Sequence, residues 1–326
     1  MKTTTKCAAV LAGVVLALLG AEGALRAWTP TNVNSAGLAL PLFRAENRGN
    51  TENVYELDPV LGFTPVLPSP LYAEHGARLN EYALEHPPGV RRVLFLGDSV
   101  TFRGRLIAAL RARYGEAGLE YWNCGIEAYN TTQEVEYFAR HMLASRPDEV
   151  VLTFHPNDFM TTPISFRTAD GRMEVIAPAR HALPIVPWLF HWSYLYRCWV
   201  GFTRSPGEEE AEHEIHAALV RLDALCREHG IALSVLVLPH LVPTADWPDV
   251  HRSRRAWILS TLEELHLRRF DLLPAMEQCL ADGHAVQESP GDHDHPNDEV
   301  CAYFARALEG EGLLAPAPSA SAPPKQ

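Results

Sequence analysis

The sequence predicts an α/β protein: a three-layer α/β/α sandwich with helices on both faces of a mainly parallel sheet. Three observations carry that prediction. Short apolar runs alternate with longer stretches of helical spacing from about residue 91 to residue 310, the pattern of strands separated by helical crossovers. The first run, Val93 to Leu96, is continuously apolar, as a strand buried on both faces is. Polar clusters recur directly after the runs, and open parallel sheets keep their reactive crevice beyond the carboxyl ends of the strands.

In order, Arg92-Val93-Leu94-Phe95-Leu96 is the first run and Gly97 ends it. Leu106, Ile107 and Leu110 give residues 103–114 helical spacing. Tyr121-Trp122-Asn123-Cys124 reads as a second strand and 131–144 as a second helix. Val150 to Phe154 is a third strand, and Ile231 to Leu238 a β-branched fourth. Residues 208–229 and 251–268 are charged and periodic, with His213 and His216 interleaved with Ile215, Leu219 and Leu222 as on a solvated helix face. Arg269-Phe270-Asp271-Leu272 completes the sheet, and 297–309 is the last helix.

The flanks differ in kind. Lys2 and Lys6 precede an apolar run from Cys7 to Ala21, which Glu22 ends. A positive start and a short apolar stretch form an export signal, so residues 1–27 are expected to be a signal peptide or a retained signal anchor. Ala21-Glu22-Gly23 is a fair small-x-small cleavage site. Either outcome puts the body outside the cytoplasm, in a periplasm or on the outer face of the membrane. Residues 28–90 read as an irregular extension, 91–314 as the principal domain, and 315–326 as a disordered Ala/Pro/Ser-rich tail. Within the domain, 159–206 is an aromatic-rich insertion holding Trp188, Trp192, Tyr194, Tyr196, Trp199 and Phe202. It reads as a lid or interfacial segment, or as a helix packed on the sheet; the second is preferred because aromatic residues are mostly core.

Composition narrows the function. Of 326 residues, 47% are hydrophobic and 21% charged, enough for one sizeable core. Net charge is −12, from 28 basic and 40 acidic residues, and no basic stripe offers phosphate contacts, which argues against nucleic acid as a partner. Five cysteines follow the apolar run: Cys124, Cys198, Cys226, Cys279 and Cys301. An oxidising compartment allows one or two disulfides and leaves a thiol over. No CxxC spacing calls for structural zinc, and no cofactor motif is present.

Four clusters carry chemistry. Gly97-Asp98-Ser99 sits at a strand-to-helix turn, where a serine hydroxyl is presented beside backbone N–H groups. Alone this tripeptide is close to chance, and an ordinary turn with an N-cap would look the same. Asn123-Cys124-Gly125 follows the second strand and His155-Pro156-Asn157-Asp158 the third, offering a glycine N–H and an Asn amide to a developing oxyanion. Gly291-Asp292-His293-Asp294-His295-Pro296-Asn297 precedes the last helix; an acid three residues before a His can orient the ring as a general base. The same residues could be metal ligands, but four adjacent groups rarely close around one ion.

Taken together and in this order, the clusters resemble the SGNH (GDSL-type) hydrolase family. The first block is matched by Leu94 to Phe102, the glycine block by Asn123-Cys124-Gly125 with Tyr129-Asn130-Thr131, the asparagine block by Asn157-Asp158, and an Asp-x-x-His-Pro block by Asp292 to Pro296. Asp58-Pro59-Val60-Leu61-Gly62-Phe63 and Leu79-Asn80-Glu81-Tyr82 resemble the lead-in of membrane-anchored bacterial members. The resemblance implies a flavodoxin-like sandwich and a serine ester hydrolase, with Ser99 as nucleophile, His295 as base and Asp292 as its orienting partner. It implies an oxyanion hole from the N–H groups of Ser99 and Gly125 and the Asn157 side chain, supported by Asp98, with no metal and no cofactor. Expected partners are an ester-bearing small molecule or an acylated glycan. The same site serves two other readings: an O-acyltransferase of surface polysaccharide, or a catalytically silent envelope binding protein. Three departures stand out: His155 and Arg103 occupy positions where relatives often have glycine, and Ala128 replaces a frequent glycine in its loop.

Overall fold

The computed structural model describes residues 2–28, 41–43, 54–78, 82–160, 162, 164–167, 173–176, 186–196 and 208–314. In chain order, helix α1 (Lys2–Trp28) precedes strands β1 (Pro41–Phe43), β2 (Tyr55–Asp58) and β3 (Gly62–Pro65). Strand β4 (Arg91–Gly97), helices α2 (Ser99–Arg103) and α3 (Arg105–Tyr114), strand β5 (Leu119–Gly125), helix α4 (Thr131–Tyr137) and strand β6 (Glu149–Phe154) follow. Then come β7 (Ile164–Arg167), β8 (Met173–Ile176), α5 (Pro187–Trp192) and α6 (Glu208–His229). Strand β9 (Ala232–Val237), helix α7 (Asp249–Glu264), strand β10 (Arg268–Asp271) and helices α8 (Leu273–Ala281) and α9 (Asp298–Gly310) complete the chain.

These elements fall into two compact units, Met1–Val66 with Met160–His213, and Leu67–Phe159 with Glu214–Gln326. In the first, β1, β8 and β7 make an antiparallel three-stranded sheet, and β2 and β3 a hairpin. The hairpin turns on Asp58, whose Oδ1 accepts the N–H groups of Val60 (2.8 Å) and Leu61 (2.7 Å). The stretch read as irregular therefore contains ordered strands. In α1 the helix continues past Glu22, and Ala8–Ala27, twenty residues whose only charges are Glu22 and Arg26, is by length and composition long and apolar enough to cross a membrane. Trp188 and Trp192 are 66% and 60% exposed, so these two aromatic residues are not the core side chains expected of them.

The second unit is a three-layer α/β/α sandwich. Its five strands are all parallel and ordered β5-β4-β6-β9-β10, the flavodoxin-like order 2-1-3-4-5. Period-2 alternation splits the strand side chains between two faces. Val93, Phe95, Tyr121, Val151, Leu236 and Phe270 join one apolar cluster with Leu110 of α3, Met276 of α8 and Phe304 of α9. The alternate residues Leu94, Leu96, Leu152 and Val237 are equally buried, as are Leu219 and Leu222 of α6 and Ile258 and Leu262 of α7. Each such side chain contributes about 1.5–3 kcal/mol on leaving water.

Boundaries depart from the sequence reading in informative places. The helix expected over 131–144 is α-helical only to Tyr137, continuing as a π turn over Phe138–Met142 and a 3-10 turn over Leu143–Ser145. The first strand is not purely apolar: Arg92 is fully buried, its Nε donating to Glu120 Oε2 at 2.6 Å and its Nη groups to the carbonyls of Ala83, Leu84, Glu85 and Ser145. Cys124, Cys226, Cys279 and Cys301 are buried free thiols, so none of them supplies the disulfides that export would allow. Burial pushes the Cys124 thiol well up and raises those of Cys226 and Cys301 to about 12. Cys198, Trp199, Phe202, Leu79-Asn80-Glu81 and the tail 315–326 lie outside the described residues.

Candidate active site

The site forms where the chain crosses from β4 to neighbours on either side, β5 and β6, which is the switch point of this strand order. β4 ends at Gly97, where a Cβ would lie 2.1 Å from Thr101 Oγ1 and 2.9 Å from its Cβ, so the turn into α2 closes only around a glycine. Asp98 is the N-cap of α2, its Oδ1 accepting the Val100 N–H at 2.8 Å. Ser99 is then the first helical residue, and its N–H is among the helix amides with no intrahelical partner.

Asp98 does more than cap. Its Oδ2 accepts from Asn157 Nδ2 at 2.7 Å, tying the end of β6 to the serine turn and leaving the second N–H of that amide for another acceptor. Gly125, at the end of β5, touches α2 directly: a Cβ there would lie 2.2 Å from Phe102 N and 2.7 Å from Thr101 C. The Gly125 N–H, however, donates to Asn123 Oδ1 at 3.0 Å. Of the three expected oxyanion donors, this one is engaged within the chain.

From the loop before α9, His295 reaches Ser99: Nε2 and Oγ are 2.8 Å apart. On the far side of the ring, Nδ1 lies 2.9 and 3.0 Å from the two oxygens of Asp292. An ionised carboxylate only accepts, so Nδ1 carries the proton and Nε2 is free to accept from the hydroxyl. Partial burial pushes the Asp292 carboxyl up, but hydrogen bonds from the His295 backbone and ring and from the Asp294 N–H outweigh it and hold the group below its ordinary value. The loop is pinned by Glu288 N–H to His295 O (2.9 Å) and Asn297 N–H to Val286 O (3.0 Å).

The structure thus brings Ser99, His295 and Asp292 together in one hydrogen-bonded line and sets Asn157 beside them through Asp98. Such a line can move a proton off a serine hydroxyl and hold the resulting imidazolium against a carboxylate. Glu288, Asp292 and His295 also bring donor atoms within 4.8 Å of one another. Asp292 and His295 are committed to each other, and Glu288 is paired with Arg103 and, at 2.9 Å, with Arg105.

No family model and no curated protein sequence matches this chain. Among solved structures, an acetylxylan esterase from Geobacillus stearothermophilus is similar at 16% identity, covering 68% of this chain and 93% of that one, with a TM-score of 0.46. An alpha/beta hydrolase enzyme from the metagenome of Lake Arreo, Spain, is similar at 17% identity, covering 69% and 96%, with a TM-score of 0.47.

The three departures noted in the sequence, His155, Arg103 and Ala128, take defined places, and further buried groups surround them. His155 is not a substrate-facing ring: it is 1% exposed, its Nδ1 accepting from Asn157 N–H (3.4 Å) and its Nε2 3.8 Å from Asp294 Oδ1. Arg103 is bound to Glu288, so its charge beside the serine is not bare. Beneath the turn lie three buried carboxyl groups, Asp98, Asp158 and Glu134. Burial, then the nearby Asp98, pushes Asp158 well above the usual carboxylate range; burial, then Asp158 and Asp98, does the same to Glu134. His240, beyond β9, stacks on His251 at 4.2 Å; burial and that neighbour lower it to about 4, so it is neutral at pH 7. Ala128 holds φ +62, a left-handed backbone in which glycine would be at ease.

Proposed function

We propose that the chain is an exported serine ester hydrolase of the SGNH type, acting through a covalent acyl-enzyme on Ser99. The observation that carries this reading is the 2.8 Å contact from Ser99 Oγ to His295 Nε2, with Asp292 2.9 Å behind the ring. In this mechanism His295 Nε2 takes the hydroxyl proton as Oγ attacks the ester carbonyl, and Asp292 stabilises the imidazolium. The carbonyl oxygen, now an anion, is met by the Ser99 N–H and the second N–H of Asn157, with the Gly125 N–H joining once it leaves Asn123 Oδ1. Collapse breaks the ester C–O bond, and the departing alkoxide takes the proton from His295. Water then repeats the sequence on the acyl-enzyme, regenerating Ser99 and releasing the acid. The substrate class is an acyl or acetyl ester, on a small molecule or a glycan. A fluorophosphonate probe tests the assignment directly: it should label Ser99 in the intact protein and fail to label His295→Ala. Undiminished p-nitrophenyl acetate hydrolysis by Ser99→Ala would overturn it.

A further inference from the structure

The outer end of α1 carries two charges, Glu22 and Arg26, paired at 2.7 Å across one helical turn. Glu22 is the more enclosed of the two, its side chain 18% exposed against 50% for Arg26. Glu22 Oε2 accepts from Ser193 Oγ–H at 3.0 Å and Leu195 N–H at 2.9 Å, and its Oε1 from Tyr194 N–H at 3.0 Å. Arg26 donates to the carbonyl of Trp192 and lies over the Tyr194 ring at 5.3 Å. A carboxylate at the edge of a hydrocarbon layer is costly unless its lone pairs are filled. Here three donors from residues 193–195, together with Arg26, fill them, so the helix end and this segment form one hydrogen-bonded piece.

What that piece presents is apolar. Val10, Leu11, Leu16 and Leu19 of α1 are 67%, 67%, 68% and 63% exposed, and an apolar span of about 30 Å matches the hydrocarbon thickness of a bilayer. Continuous with it, Val15, Leu18, Leu19, Trp192 and Leu195 line a groove of about 370 Å³. Trp188 and Trp192 stand four residues apart on α5, hence on one face, both exposed. Tryptophan with its ring in hydrocarbon and its N–H toward water is the side chain of the membrane boundary.

We propose that α1 is retained as an anchor and that residues 187–196 are its foot, latched by Glu22 so that Trp188 and Trp192 sit at the acyl–headgroup boundary of the outer leaflet. Cleavage after Gly23 would remove Glu22 and with it the latch, so retention and docking stand or fall together. The inference rests on the export reading for the side of the membrane alone, and not on the chemistry at Ser99.

Full-length protein in phosphatidylcholine–phosphatidylglycerol vesicles containing lipids brominated near the headgroup tests it. Tryptophan fluorescence should be quenched, and the double variant W188F/W192F should lose at least about half of that quenching. Glu22→Gln should lose a comparable share while the protein stays vesicle-bound, since the apolar helix is untouched. Hydrolysis of soluble p-nitrophenyl acetate should be unchanged in both variants, which separates failure of the latch from failure of the esterase reading. Quenching as strong in W188F/W192F as in the parent, or a mature protein whose mass begins at Ala24, would overturn the proposal.

Discussion

Asp98 serves two partners with two oxygens, the Val100 N–H inside its own turn and the Asn157 amide from the next strand. In the proposed mechanism, a capping residue thereby aims an oxyanion donor. Asn157→Ala is expected to lower kcat on p-nitrophenyl acetate by about 10²–10³, the cost of one such donor. Asp292→Asn should cost about 10⁴, because the amide can hold the wrong His295 tautomer. Steady-state kinetics on both variants, with KM little changed, checks the pair. These residues were legible because each stands directly after a strand or before a helix and because their order together resembles a known hydrolase pattern. The Asn123 side chain holding Gly125, and Glu288 holding Arg103, were not: one is a rotamer and the other a contact across 185 residues.

Strand β4 illustrates what periodicity does and does not carry. Its run located the strand to within a residue at each end, as did those for β6, β9 and β10, while β5 began two residues earlier than read; burial on both faces favours such largely apolar runs. Arg92 at its start was indistinguishable from a surface arginine. In the fold it bonds Glu120 and four carbonyls, lies over Trp122 at 4.4 Å, and fastens residues 83–85 to the sheet. Replacing it by Met strands a buried Glu120 and is expected to cost about 3–5 kcal/mol, read as a lower urea midpoint with an unchanged slope. A double variant that also carries Glu120→Leu should recover much of the loss. Helix α8 and the β2–β3 hairpin were missed for the opposite reason: nine and four residues are too few to establish a period.

At the scale of the whole second unit, stability should depend on pH through its buried carboxyl groups. Glu134 is raised well above 4.5 by burial and by Asp158 and Asp98. The folded protein therefore keeps a proton that the unfolded chain releases. Its stabilising share is complete below about pH 4.5 and is lost as pH rises through the folded value. Glu134→Gln removes that titration. Urea midpoints measured from about pH 5 to pH 8 should fall more gently in the variant than in the parent, with Asp158 supplying the residual slope. Parallel slopes would show that Glu134 is ionised in the fold. The sequence placed Asp98 and Asp158 after their strands but did not mark their burial beside Glu134, because the three come from separate parts of the chain.

The separation of 196 positions from Ser99 to His295 has a temporal meaning. A chain is made from its amino end, so the serine and its turn emerge long before the loop that bears the histidine. Until that loop arrives and α9 packs beside α3, where Arg113 grips Glu309 and Tyr114 the carbonyl of Leu313, the hydroxyl has no base to draw off its proton. In the proposed mechanism the nascent protein therefore carries an ordinary alcohol, and reactivity arrives only when the last helix closes.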